Sequence, residues 1–308
     1  MPRLSLFGHR PIDAAVNLEE TKARRLDATL GDYLNELRSS GEDQAAVTLA
    51  YTHSLHQLWR PALRMLPVAS ESSVLDVGSG LGILAFELAA NVSVHVEGVD
   101  LDRAFVGHAE TLHDRLAAAG LFADGARVRF SVGDVAALDF ADESFDLVFV
   151  RELFQFLPDP VQATGELFRV LRPGQYLCIS DMDDQLRVTW PPSSPALNRL
   201  VGAVADVQWA SGGDRHAGRK LTSYLRSAGF EINSLVVLSE AQHRVVDAGD
   251  AERALIIEQL HAARSRVLEA GAMQAESFDS DLEALEQEPP FEEFRTSARI
   301  VVLGQRPA

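Results

Sequence analysis

Three aspartates close short apolar runs in this 308-residue chain, and the residues around them are where chemistry is to be sought. Val74-Leu75 leads to Asp76, and Gly78, Gly80 and Gly82 follow at every second position. Glycines tolerate positive φ and keep no side chain between backbone and ligand. The free N–H groups of a helix start can face a polar or anionic group. A second run, Val94-His95-Val96-Glu97-Gly98-Val99, ends at Asp100, at the distance where a carboxylate that accepts from ribose hydroxyls belongs. Asp100 also suits a helix N-cap for the segment that begins at Leu101. A third run, Arg127 to Val132, ends in Gly133-Asp134. The dinucleotide fingerprint is Gly-x-Gly-x-x-Gly, whereas position 83, where its third glycine belongs, holds Ile.

These residues need a particular frame. Asp76 ends a buried strand, the glycines turn the chain, and Ile83 to Ala90 continues as an apolar helix. Strands alternate with helices as far as Asp181, which predicts a parallel sheet with helices on both faces. Ligands of such sheets lie beyond the carboxyl ends of the strands, so Asp76, Asp100 and Asp134 converge on one crevice.

Further motifs keep this order: Ser144-Phe145-Asp146-Leu147-Val148-Phe149-Val150, the helix opener Leu157-Pro158-Asp159-Pro160, and Val170-Leu171-Arg172-Pro173-Gly174-Gln175. Over roughly residues 70–185 the set resembles the class I S-adenosylmethionine (SAM)-dependent methyltransferases, in the branch that modifies small molecules, either of the ubiquinone/menaquinone-biosynthesis kind or of the natural-product kind. The resemblance implies an α/β, Rossmann-like, seven-stranded, mostly parallel sheet whose seventh strand is antiparallel, with N-terminal helices and a helical lid or insertion. It implies SAM as cofactor and S-adenosylhomocysteine (SAH) as product. Asp100 would accept from both ribose hydroxyls, and Gly133 and Asp134 form the motif whose carboxylate accepts from the adenine amino group. Val135 would pack on the adenine, with Leu101 over its other side or the ribose. Gly78, Ser79 and Gly80 would pass the methionine part with their backbone, and Arg151 would line that end chiefly through its backbone. Asp76 would accept from the cofactor's amino group, directly or through water, or only brace the loop.

Around this core the sequence divides into an N-terminal helical cap (1–68), the cofactor-binding core (69–239, with a lid at 184–218), a helical insertion (240–292) and a final core strand (293–308). Residues 1–17 read as an irregular arm, and helices are expected over 18–37 and 43–66. Tyr33 and Tyr51 lie on them as core or as pocket wall. Further helices are expected at 196–211, 221–227, 251–270 and 279–287, with strands at 230–238 and 298–304. The net charge of −17, with no basic cluster, argues against nucleic acid as partner. No apolar run approaches the roughly 20 residues of a membrane span, and the N-terminus lacks the apolar centre of a signal peptide. A cytoplasmic protein follows. The single cysteine, Cys178, leaves no internal disulfide, and no metal is expected. The N-terminal or inserted helices offer surfaces for a homo-oligomer.

Many members of that family carry His after the fourth strand, where this chain has Gln155 and Phe156. Gln155, His216 and His243 are therefore the candidate catalytic residues, with catalysis by proximity in an apolar pocket as the alternative. Asp181 and Asp183 are candidates to orient substrate or a cation. Trp190, Trp209, Phe154 and Phe156 are candidates for an aromatic surface. Two other functions stay open at this point. One is an NAD-dependent oxidoreductase, against which Ile83 and Gly133-Asp134 stand. The other is a SAM-binding protein of this fold that regulates or catalyses a non-methylating reaction.

Overall fold

The computed structural model describes residues 20–63 and 66–308, so the arm expected at 1–17 lies outside the described residues. Helix α1 (Glu20–Ser40) buries Leu26, Leu30, Tyr33 and Leu37, spaced three and four apart, which is the stripe of an amphipathic helix. It packs on α2 (Asp43–Leu63). Then come β1 (Ser73–Val77), α3 (Ile83–Asn91), β2 (His95–Asp100), α4 (Arg103–Ala118), β3 (Arg127–Val132) and β4 (Phe145–Arg151). After them follow α5 (Pro160–Val170), β5 (Leu171–Met182), β6 (Val188–Trp190), α6 (Pro195–Ala210) and α7 (Leu221–Ser227). The chain closes with β7 (Glu231–Val246), α8 (Ala251–Glu269), α9 (Ala275–Glu286) and β8 (Phe291–Gln305).

The sheet runs β3-β2-β1-β4-β5-β8, with β1 to β5 parallel. The expected Rossmann-like arrangement is present: the last strand, β8, is antiparallel and fills the gap between β5 and β7. Alternate residues of β4 serve opposite faces. Leu147 and Phe149 join the core under α1 to α4, and Val148 and Val150 the core under α5 and α7. Such two-sided burial is why the central strands read as continuous apolar runs.

Sequence periodicity missed two features. The strands expected at 230–238 and 298–304 are much longer, and β7 and β8 stay paired from Glu231↔Gln305 to Val246↔Phe291. Their outer halves are polar, so only the partner strand reveals them, by satisfying their backbone groups. The three-residue β6 pairs with Thr296 to Phe294 of β8 beyond the end of β5. At the far end of this hairpin, α8 and α9 pack on α6 around Leu200, Leu260, Val267, Phe278 and Leu282. The acidic α9 is counter-charged there: Arg199 donates to Asp281 at 2.8 Å and Arg264 pairs with Asp279 at 2.6 Å. Among the described residues no helix is long and apolar enough to cross a membrane.

Candidate active site

The glycine loop joins β1 to α3, and its backbone is largely used by the protein itself. Gly78 and Ser79 donate to Val99 O at 2.8 and 3.1 Å, and Gly82 donates to Ser79 O at 2.9 Å. The Gly80 amide donates to Asp100 Oδ2 at 2.8 Å. These amides are therefore not the free donors that loop chemistry alone suggests. The turn requires glycine for sterics. Gly82 has φ +82°, and a Cβ there would lie 2.5 Å from the Phe130 ring. Gly80, at φ +53°, faces open space instead, so a ligand can approach its backbone closely.

Asp100 accepts from Gly80 and, through Oδ1, from the Asp102 amide at 2.9 Å. It is not the helix cap. Asp102 caps α4, accepting from Ala104 at 2.8 Å. Burial raises the Asp100 carboxyl above its ordinary value. Each of its oxygens keeps a further lone pair for a ligand hydroxyl. Asp76 is 4% exposed, and its Oδ2 is buried with no hydrogen-bond partner. Burial, reinforced by the Asp100 charge and opposed by Arg151, pushes it up to about 7. An orphaned buried oxygen costs about 1–3 kcal/mol, which a cationic ligand group would recover. Asp134 is exposed at the end of β3 and accepts from Ala136 at 2.8 Å; Gly133 precedes it, and Val135 is buried beneath. Leu101 is 70% exposed beside Asp100. Asp76, Asp100 and Asp134 thus stand at neighbouring strand ends, on one edge of the sheet.

At the end of β4 the site turns ionic. Arg151 Nη1 lies 3.3 Å from His56 Nδ1 of α2. Glu152 has φ +55°, a conformation a non-glycine residue rarely takes, with its amide donating to Ser180 O at 2.9 Å. Its Oε1 lies 2.8 Å from Arg299 Nε of β8, a largely buried ion pair. Arg299 also donates to the Tyr51 hydroxyl at 3.1 Å. Burial raises Glu152, against the pull of Arg299 and Arg151, and it holds Tyr51 protonated by pushing it up to about 12. Asp181 is fully buried, accepts from Met182 and Gln155 amides, and is raised well above the carboxylate range by burial and by Glu152.

Of the proposed catalytic residues, Gln155 is buried and its side chain donates to Glu152 Oε2 at 3.3 Å. His216 is partly exposed just before a short 3-10 turn (Ala217–Lys220), with Nδ1 3.7 Å from Asp214. His243 is exposed on the outer half of β7, paired with Phe294. Asp183 is tied to Arg219 rather than left open for a ligand. Phe154 is core, whereas Phe156, Trp190 and Trp209 are exposed. Tyr33 is core as well, bonded to His108 at 2.8 Å. His56, Glu152, Ser180 and Arg299 also border this site without belonging to any of the motifs above. One signal for Arg299 was present, a cation inside the apolar run of the last strand.

A doubly wound sheet with a glycine turn between β1 and α3, and carboxylates at the ends of β1 and β2, defines a nucleotide-cofactor-binding α/β domain. Residues 75–179 match the family model described as the methyltransferase domain. That central part is similar to the class I SAM-dependent methyltransferases of the small-molecule kind, whose cofactor is S-adenosyl-L-methionine. The chain is 38% identical over 117 residues to methyltransferase GfsG of Streptomyces halstedii, covering 38% of this chain and 40% of that protein. It is 31% identical over 146 residues to the ubiquinone/menaquinone biosynthesis C-methyltransferase UbiE of Geotalea daltonii, covering 46% of this chain and 54% of that one. It is 29% identical to O-methyltransferase cnsE of Penicillium expansum, over 58% of each chain. The chain thus spans only 40–58% of these curated relatives. In fold it is similar to YcgJ of Bacillus subtilis, with a TM-score of 0.52 at 17% identity, covering 82% of this chain and 99% of that one.

Proposed function

We propose that the protein transfers a methyl group from SAM to an oxygen, nitrogen or carbon nucleophile of a small, partly apolar molecule. A secondary metabolite is the first choice and a quinone or lipid precursor the second. The observation that carries this reading is the pair of strand-end carboxylates, with Asp76 Oδ2 buried and unpartnered beside a glycine turn that is open at Gly80. The names of GfsG, UbiE and cnsE support the reaction class but not one acceptor.

Bound SAM supplies a methyl group already activated by its sulfonium. The chain's share is to hold and align. Asp100 takes the ribose hydroxyls. Asp134, after Gly133, takes the adenine amino group, with Val135 beneath the ring and Leu101 over it. Asp76 takes the ammonium, and Gly78, Ser79 and Gly80 border the methionine part. The acceptor then lies over the ends of β4 and β5, near Glu152, Ser180, Tyr51 and Arg299. For an O–H or N–H acceptor, Glu152 is the best-placed proton acceptor, because it follows the end of β4 and burial raises its basicity. Gln155 positions Glu152; His216 stands beside the lid as an alternative base, and His243 lies on the outer hairpin. The cap (1–68), lid (184–218) and insertion (240–292) would enclose the acceptor, and the same helices offer a homo-oligomer contact. The protein would act in the cytoplasm.

Calorimetry tests the reading. SAM and SAH are expected to bind the full chain and NAD is not. Absence of SAM and SAH binding overturns it, and NAD binding in their place would favour the oxidoreductase. Transfer of label from methyl-labelled SAM to an added acceptor separates methylation from a non-methylating role.

A further inference from the structure

The charge at the methionine end of the site does not come from the matched segment alone. Glu87 of α3, which is fully buried, lies 3.3 Å from His56 Nε2 through Oε2, and Arg60 Nη2 donates to the same oxygen at 2.9 Å. Arg60 in turn bonds both oxygens of Asp27 in α1, at 2.8 and 3.0 Å. A carboxylate only accepts, so His56 presents Nε2–H to Glu87 and leaves the lone pair of Nδ1 for Arg151 Nη1–H. His56 is therefore neutral, and burial together with Arg151 and Arg60 holds it down at about 4 despite the pull of Glu87. Asp27, Arg60, Glu87 and Arg151 alternate in sign along this path.

Arg151 is half-buried at the end of β4, with its guanidinium only partly used. It feels the charges of Asp76 and Glu152, yet among the described residues neither closes on it as a salt bridge. A planar guanidinium matches a carboxylate bidentately. Across from it, Asp76 Oδ2 has no partner. A carboxylate and a guanidinium that sense each other without pairing are complementary to a zwitterion, ammonium toward Asp76 and carboxylate toward Arg151.

We propose that the Arg151 side chain clamps the α-carboxylate of the cofactor's amino-acid end, and that the path Asp27–Arg60–Glu87–His56, buried at Glu87 and His56, positions it. The N-terminal helices α1 and α2, outside the matched residues 75–179, are then a working part of the cofactor site. This rests on the reading that the domain binds SAM and replaces the backbone role expected of Arg151.

The test compares SAH with 5′-methylthioadenosine, which keeps the nucleoside and sulfur but lacks the amino-acid end. Both are titrated calorimetrically into the full chain as wild type, Arg151→Met, Arg151→Lys and His56→Phe. The expected result is SAH affinity reduced at least tenfold in Arg151→Met, less in Arg151→Lys, and three- to tenfold in His56→Phe. Methylthioadenosine affinity should stay within twofold throughout, which also reports that each variant is folded. Unchanged SAH binding by Arg151→Met overturns the proposal. So does an equal loss for both ligands, since Arg151 would then support only the fold. Wild type that binds neither ligand sinks the SAM reading itself, a failure distinct from the other two.

Discussion

The Gly80 amide donates to Asp100 Oδ2 at 2.8 Å, so the glycine turn and the second strand's carboxylate are one unit. Asp100→Ala removes the anchor of the turn and, on the proposed reading, the acceptor of the ribose hydroxyls. Loss of a charge-assisted hydrogen-bond partner costs about 1.5–3 kcal/mol, so SAM affinity should fall roughly ten- to a hundredfold by calorimetry. Equal affinity of variant and wild type would remove Asp100 from the ribose role.

Asp76 gives a pH signature with a definite sign. Its folded value of about 7 stands above the ordinary 3.8, so the ligand-free protein holds a proton that the unfolded chain releases. Its contribution to stability is present below the unfolded value and is lost as pH rises through about 7. Thermal melts of the ligand-free wild type should lose this contribution between about pH 4 and about pH 7, and Asp76→Asn should flatten that trend. SAH affinity should move the other way, strengthening as pH rises through about 7 because the ionised carboxylate receives the ammonium.

His56 acts in the opposite direction. Its folded value of about 4 lies below the ordinary 6.5, so the unfolded chain takes up a proton first. The stability it confers is complete above 6.5 and is lost as pH falls toward 4. Denaturant melts of His56→Gln across this window should show a shallower acid limb than wild type. An unchanged limb would mean that His56 is not the buried neutral imidazole described above.

Arg299 is the counter-charge of buried Glu152. Arg299→Met strands that carboxylate, and removing one partner of a buried pair typically costs about 3–5 kcal/mol. Urea unfolding should register a loss on this scale, and the double variant Arg299→Met/Glu152→Gln should recover a good part of it. Failure to recover would show that Arg299 stabilises the hairpin by packing rather than by charge.

Phe278 is fully buried where α9 meets α6 and α8. Phe278→Ala should cost about 3–5 kcal/mol, and hydrogen exchange should show faster opening in α8 and α9 than in β1 or β4. Uniformly faster exchange across the molecule would instead make this cluster inseparable from the main core.

Local sequence determined the central part of this protein. The apolar runs of β1, β4 and β5, the glycines at 78, 80 and 82, and the aspartates at strand ends are short-range patterns with direct physical meaning. A strand buried on both faces needs consecutive apolar residues, and a turn at positive φ needs glycine. Those patterns carried the sheet and the cofactor class, and placed an aspartate at the end of β2. Tertiary structure alone decided the rest. Polar strands such as the outer halves of β7 and β8 are made by their partners and leave no periodic trace of their own. Asp102 rather than Asp100 caps α4 because the chain bends after β2, not at its end. The ionic wall of the site joins His56, Glu152 and Arg299 from elements up to 243 positions apart. A long-range charge network has no sequence spacing, since only burial and distance tell a working ion pair from a solvated one.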